Sequence, residues 1–356
     1  KIIENNSYYK SGDLIGKQGV EQEYEEVLRG VKGVKYRQRD KFNKDIGSYK
    51  EGKFDTIAVQ GEDIKLTIDI ALQEYGEELM KNKRGGIVAI EPKTGEILTL
   101  VTAPSYDPSI LVGRERSRNY TQLYNDSIAK PLFDRALLGE FPPGSPFKIL
   151  TGLVALQEGV IDEQTTFYCN HGFSYGRGKK GLIPTSKTYK RIYHNGGWRS
   201  TTIVSNAIGQ GEVSMTPIQL ANMMAAVANE GHYYTPHIVK KIKDHTIDTK
   251  FTTRHETTID KHYFKPVIEG LFAVYNGGTA SALRIEGIDI CGKTGTAENF
   301  SKINGKRTQL TDHSIFVAFA PKDNPKIAIA VLVENGYYRA RNAGPIASLM
   351  IEKYLK

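Results

Sequence analysis

Cysteine is nearly absent from this 356-residue chain: Cys169 and Cys291 stand far apart, with no Cys-x-x-Cys and no Cys/His ligand spacing. That argues against both a disulfide framework and a zinc site, and so few thiols exclude neither redox compartment. No window of about twenty consecutive apolar residues occurs either, so the sequence contains no transmembrane helix or signal segment. It opens at Lys1-Ile2-Ile3 without an initiator Met, and the expectation is that an N-terminal anchor precedes these residues. Among the histidines, His171, His194 and His313 have no pairing at metal-ligand spacing, and no metal is expected. Tyr233-Tyr234 and the single Trp198 read as packing residues. The net charge of +8 is spread thinly. Its dense runs, Arg114–Arg118, Arg177–Lys180 and Lys187–Arg191, hold a single aromatic, Tyr189, and do not interleave with aromatics as a nucleic-acid platform would require, so they read as solvated surface.

What is present suffices for a large core, and the length suggests about two domains. Residues 1–62 are rich in Gly, Lys, Glu and Tyr, with a short helix expected over Gly19–Gly30 and short strands at Lys35–Lys41 and Thr56–Val59. That is too little apolar material for an independent core, and a boundary is expected near Gly61-Glu62-Asp63. From residue 63 to 356 the pattern changes. Asp69 caps an expected helix, Gly86–Glu91 and Glu96–Val101 form a hairpin about Pro92-Lys93-Thr94-Gly95, and Thr216-Pro217 opens a core helix that Gly231 follows. Three strands follow, at Ile288–Gly292, Ser314–Ala320 and Lys326–Val333, and a helix closes the chain from about Pro345 to Tyr354. Strands at both ends with helices between them imply an α+β domain whose sheet collects both ends.

Ser-x-x-Lys occurs three times, at Ser7–Lys10, Ser127–Lys130 and Ser145–Lys148. Only Ser145 has a turn before it, Pro142-Pro143-Gly144, and an apolar helix after it, ending at Gly159. Residues i and i+3 share a helix face, so Lys148 reaches back over Ser145, and Pro146 fits a first helical turn where its missing N–H is no loss. A serine with an amine alongside is how a hydroxyl becomes a nucleophile. Lys-Thr-Gly occurs twice. Lys93-Thr94-Gly95 is explained by hairpin-turn chemistry. Lys293-Thr294-Gly295-Thr296 instead lies on or at the end of a strand, where the lysine offers a cation for a carboxylate and the strand N–H groups can meet an extended peptide.

Pro-Pro-Gly-Ser-x-x-Lys followed by Gly-Lys-Thr-Gly-Thr-Ala resembles the penicillin-binding protein and serine β-lactamase superfamily. Gly85–Ile97, Tyr106-Asp107-Pro108, Ile208–Glu212 with Thr216-Pro217, and Phe316–Pro321 are similar to class B penicillin-binding transpeptidases. Tyr9–Gly30 resembles the segment before that domain in the rod-elongation subgroup, penicillin-binding protein 2. The resemblance implies an antiparallel sheet flanked by helices with a helical subdomain, and makes residues 1–62 the remnant of a pedestal or dimerisation domain. It implies a D,D-transpeptidase of peptidoglycan stem peptides, acylated by β-lactams, without metal or cofactor. Ser145 is then the nucleophile, and Lys148, made neutral by desolvation and neighbouring cations, its base. Lys293, Thr294, Gly295 and Thr296 bind the substrate carboxylate, and the N–H groups of Ser145 and Thr296 form the oxyanion hole. A membrane glycosyltransferase and elongation-complex partners are implied, with the chain anchored at the bacterial inner membrane and its catalytic domain outside the cytoplasm. Hydrolytic relatives (β-lactamase or carboxypeptidase) and an inert scaffold or β-lactam sensor are the alternatives.

Two departures stand out. Pro146 replaces the family's usual Thr after the nucleophile, and no Ser-x-Asn, the family's third motif, occurs between Lys148 and Lys293. The only Ser-x-Asn is Ser117-Arg118-Asn119, ahead of Ser145. The expectation is that a block containing the motif is missing from the chain near Lys179–Gly181.

Overall fold

Ile327–Val333 is apolar at all seven positions, a pattern satisfied by a strand covered on both faces, and every residue of it is buried. In the computed structural model, which describes residues 8–10, 12–166, 200–243, 245–303, 305–336 and 342–356, this strand is central. The strands β1 (Gly85–Ile90), β2 (Ile97–Ala103), β3 (Cys291–Ile303), β4 (Lys306–Ala320) and β5 (Ile327–Val333) make one antiparallel sheet, ordered β2-β1-β5-β4-β3. Around it lie α1 (Ile70–Leu79), α2 (Lys148–Gln157), α3 (Ser200–Ala207), α4 (Pro217–Ala228), α5 (Phe264–Asn276) and α6 (Ala343–Leu355).

Alternation along the strands builds two cores. Ile87, Phe316, Ala318, Ile329 and Val331 face Leu72 of α1 and Ile346 and Met350 of α6. Val88, Ile315, Val317, Ala328 and Ala330 face Ile149 and Leu153 of α2, Leu220 and Met224 of α4, and Phe264 of α5. The caps agree with the sequence. Asp69 accepts from the Leu72 N–H, and Thr216 with Gln219 forms a reciprocal capping box ahead of Pro217. Tyr275 of α5 hydrogen-bonds Ser348 of α6, and burial pushes its phenol up to about 12.

Just past β5, Glu334 receives the buried Arg135 at 2.7 Å, and Arg135 also donates to the carbonyls of Ala129 and Lys130. A buried guanidinium needs this full set of acceptors, and they tie the segment leading to Phe141 onto the end of the sheet.

By contact the chain divides into two units, Lys1–Leu66 with Val239–Asp248, and Thr67–Ile238 with Thr249–Lys356. They part after Leu66, four residues beyond the expected edge, because Ile64–Leu66 pairs with Val239–Ile242. In the first unit the expected helix over 19–30 is two short ones, Gly19–Glu23 and Glu25–Leu28, broken at Tyr24 (φ −109°, ψ 20°). Arg37–Arg39 pairs with Asp45–Ser48, and the Arg29 guanidinium lies 4.1 Å from the centre of the Tyr8 ring while donating to the Tyr9 hydroxyl.

The expected strand at Ile288–Gly292 begins only at Cys291 and runs on to Ile303. Ile288 donates to the Ile285 carbonyl across a tight turn, so the chain becomes extended later than its apolar residues suggest. Among the described residues, no helix is long and apolar enough to cross a membrane.

Candidate active site

The turn before Ser145 is held from three sides. Phe141 exchanges both backbone hydrogen bonds with Met215, at 3.1 and 2.8 Å, and the Gly144 N–H donates to the Gly209 carbonyl at 2.8 Å. Gly144 has φ +61°, and a Cβ on it would sit 2.6 Å from the Thr296 carbonyl oxygen, so two backbones pass here with no room for a side chain. Ser145–Phe147 then forms a 3₁₀ turn that hands over to α2 at Lys148, with Pro146 buried inside it. Residues three apart eclipse in a 3₁₀ turn, which aligns Ser145 and Lys148.

The opposite wall is β3, an edge strand. Lys293 and Gly295 alternate onto the sheet face that carries α2, where a Cβ on Gly295 would meet the Pro146 ring at 2.6 Å. The Lys293 Nζ donates to the Thr294 carbonyl at 3.0 Å. Burial, and next the positive charge of Lys148, hold the Lys293 ammonium below its usual range. The two lysines thus share one region, and neither pairs with a carboxylate among the described residues, which leaves positive charge for an anionic ligand. Thr294 is buried on the other pleat, its hydroxyl 3.3 Å from that of Thr279. Thr296 pairs with Ser314, and its carbonyl accepts from the Gln210 side-chain amide at 3.1 Å.

The structure therefore brings the Ser145 turn against Lys293–Thr296. Lys148 is exposed, so the described residues do not supply the desolvation that sequence reasoning invoked for it. Residues 179–181, Cys169, His171, His194 and Trp198 lie outside the described residues. Cys291 is buried, and its thiol is pushed up to about 12, chiefly by that burial, which makes it inert. No cluster of His, Cys, Asp and Glu suited to a metal occurs among the described residues.

Sequence reasoning gave no role to Gly209 and Gln210, which touch both walls. The local signal was a Gln between two glycines just ahead of a capped helix, and both glycines have positive φ.

His313 is the other unassigned neighbour. It lies opposite Ala297, where β4 carries one extra residue, and its ring meets Phe141 edge-on at 5.3 Å. Its Nδ1 accepts from the Asn335 N–H at 3.2 Å, a bond the unprotonated nitrogen makes. Burial lowers its pKa, opposed by Glu334 and Asp312 and assisted by Arg84. The folded state therefore takes up its proton at lower pH than an unfolded histidine, at about 6.5. Stability is full above that value, falls as pH drops through it, and levels off below the folded pKa. Melting temperatures between about pH 7.5 and 5.5 are expected to fall less in His313→Gln than in the wild type. His232, also lowered by burial, retains part of the slope.

The sequence matches the Penicillin binding protein transpeptidase domain over residues 85–191 and 186–352. The chain belongs to the penicillin-binding protein transpeptidase family. Residues 2–66 match the Penicillin-binding Protein dimerisation domain. The peptidoglycan D,D-transpeptidase MrdA of Acinetobacter baumannii is 30% identical, with 96% of this chain covering 60% of that protein. The crystal structure of Pseudomonas aeruginosa PBP2 in complex with WCK 5153 is similar at a TM-score of 0.77 and 29% identity, over 99% of this chain and 85% of that one. Penicillin-binding protein A from Mycobacterium tuberculosis, solved as an imipenem acyl-enzyme, is similar at 0.66 and 26%, over 83% and 80%. The MrdA of Acinetobacter baumannii carries internal sequence without a counterpart here, since its alignment runs over 416 residues against 356 in this chain.

Proposed function

We propose that this chain is the extracytoplasmic part of a rod-elongation peptidoglycan D,D-transpeptidase. The observation that carries the proposal is the contact of Gly144 with Thr296, which sets a serine turn and a lysine-bearing strand edge face to face. In this reading Ser145 Oγ attacks the carbonyl between two terminal D-alanines, and Lys148 takes the hydroxyl proton. The Ser145 and Thr296 N–H groups hold the developing oxyanion, where one such donor is worth about 2.7–4 kcal/mol. Lys293 attracts the substrate carboxylate, the terminal D-alanine leaves, and an amine of a neighbouring strand resolves the ester into a cross-link. β-Lactams stop at the ester. Residues 1–62 serve as the pedestal. A membrane anchor ahead of Lys1, an inner-membrane location and a glycosyltransferase partner belong to the same proposal.

The proposal includes a block bearing Ser-x-Asn near residues 179–181, supported by the longer alignment to the relative. Reading the gene through those codons tests it, and an uninterrupted match to this sequence would overturn it. For the activity, the protein is incubated with a fluorescent penicillin and the adduct mapped. A long-lived adduct on Ser145 supports the transpeptidase, rapid turnover points to a β-lactamase, and no adduct points to a scaffold.

A further inference from the structure

The Thr296 carbonyl is turned away from its own sheet. In an antiparallel ladder a residue's N–H and C=O point to the same side, and on an edge strand alternate residues aim both groups outward. The Thr296 oxygen lies against Gly144 and accepts from Gln210 Nε2 at 3.1 Å, so Thr296 is an outward residue and its N–H faces the same cleft. Reversing the Gln210 amide would set two acceptors against each other, which fixes the donor end on Thr296. One residue earlier, the Gly209 carbonyl holds the Gly144 N–H, and Gly144 adjoins Ser145. Two consecutive residues thus grip both segments that carry the oxyanion-binding N–H groups, one through a backbone oxygen and one through a side chain.

We propose that Gln210 is a positioning residue that fixes the Thr296 backbone, and with it the separation of the Ser145 and Thr296 N–H donors. The proposal rests on the acyl-transfer reading above. Oxyanion stabilisation depends on donors being preorganised, because a donor that must first be ordered stabilises the transition state less. Gln210 touches no reacting atom, so its removal leaves substrate association intact and slows the bond-forming step. The ester carbonyl of the acyl-enzyme sits between the same donors and reports on them directly, since weaker hydrogen bonds polarise it less.

The test uses the full protein with Gln210→Met, which keeps the length without polarity, and Gln210→Leu, which keeps an apolar side chain without the donor and adds no charge to the cleft. Rapid-mixing kinetics with a chromogenic cephalosporin separate the initial affinity from the limiting acylation rate. The limiting rate is expected to fall about 10- to 100-fold, with affinity changed little. Infrared difference spectra of the acyl-enzyme, using a carbonyl-labelled β-lactam, are expected to show the ester band at higher wavenumber in both variants. If one variant does not fold, the other carries both measurements. Folded variants with wild-type limiting rates and an unmoved ester band overturn the proposal. So does a lower limiting rate with the ester band unmoved. A wild type that forms no adduct instead overturns the acyl-transfer reading, and this inference with it.

Discussion

Ser145→Ala is expected to abolish covalent labelling by a fluorescent penicillin, with no residual adduct at Ser7 or Ser127, the two other serines of Ser-x-x-Lys spacing. The loss is total because alanine has no oxygen to acylate. In a well-studied serine hydrolase, removing the nucleophile costs on the order of 10⁶-fold in turnover. Lys148→Ala is the graded counterpart. Its Ser145 hydroxyl remains at the mouth of the 3₁₀ turn without a base, so acylation slows by about 10²–10⁴-fold rather than vanishing. Intact-protein mass spectrometry over time reads both variants. An adduct of full stoichiometry on Ser145→Ala would reassign the nucleophile, and an unaffected Lys148→Ala would remove that lysine from the proton path.

Gly209→Ala is expected to be the most damaging single methyl group at this site. Gly209 has φ +76°, and its Cβ would lie 2.2 Å from the Gly144 carbonyl oxygen, a backbone atom that cannot rotate away. Left-handed backbone costs a non-glycine residue about 1–2 kcal/mol. Forcing apart a packed contact adds about 1–3 kcal/mol, for a total of about 2–5 kcal/mol. Gly113→Ala separates the two terms, because Gly113 has φ +80° with nothing within 4 Å of its added Cβ. Denaturant unfolding should show Gly113→Ala losing only the conformational part. Acylation kinetics should show Gly209→Ala alone displacing the serine turn. Equal losses in the two variants would mean that the close approach at Gly144 is soft.

Much of this was legible because it depends on local chemistry. Ser145 stood apart from its two decoys by the turn before it and the apolar helix after it, and both are present. Asp69 and Thr216 announced their helices because capping is decided within a few residues. The turn residues Pro92-Lys93-Thr94-Gly95 between the apolar runs of Gly86–Glu91 and Glu96–Val101 announced the hairpin. What local chemistry does not carry was missed. The start of β3 slipped from Ile288 to Cys291, since a turn between two isoleucines looks apolar and extended in sequence. The return of Val239–Asp248 to the first unit depends on pairing across some 170 residues, and no pattern within either segment states it. Gln210 acts through a tertiary contact to Thr296, and its neighbouring residues give no hint of that partner.

An exposed strand edge is ordinarily a hazard, because its free donors and acceptors alternate and so fit the edge of any other strand, including a second copy of itself. At Lys293–Thr296 that symmetry is broken. The outward carbonyl of Thr294 accepts from Lys293 and that of Thr296 from Gln210, while the N–H groups beside them have no such cap among the described residues. The edge therefore offers donors without matching acceptors. It can receive the oxygen of an acyl group or a carboxylate, but it is a poor template for the ladder on which self-association and fibre growth depend.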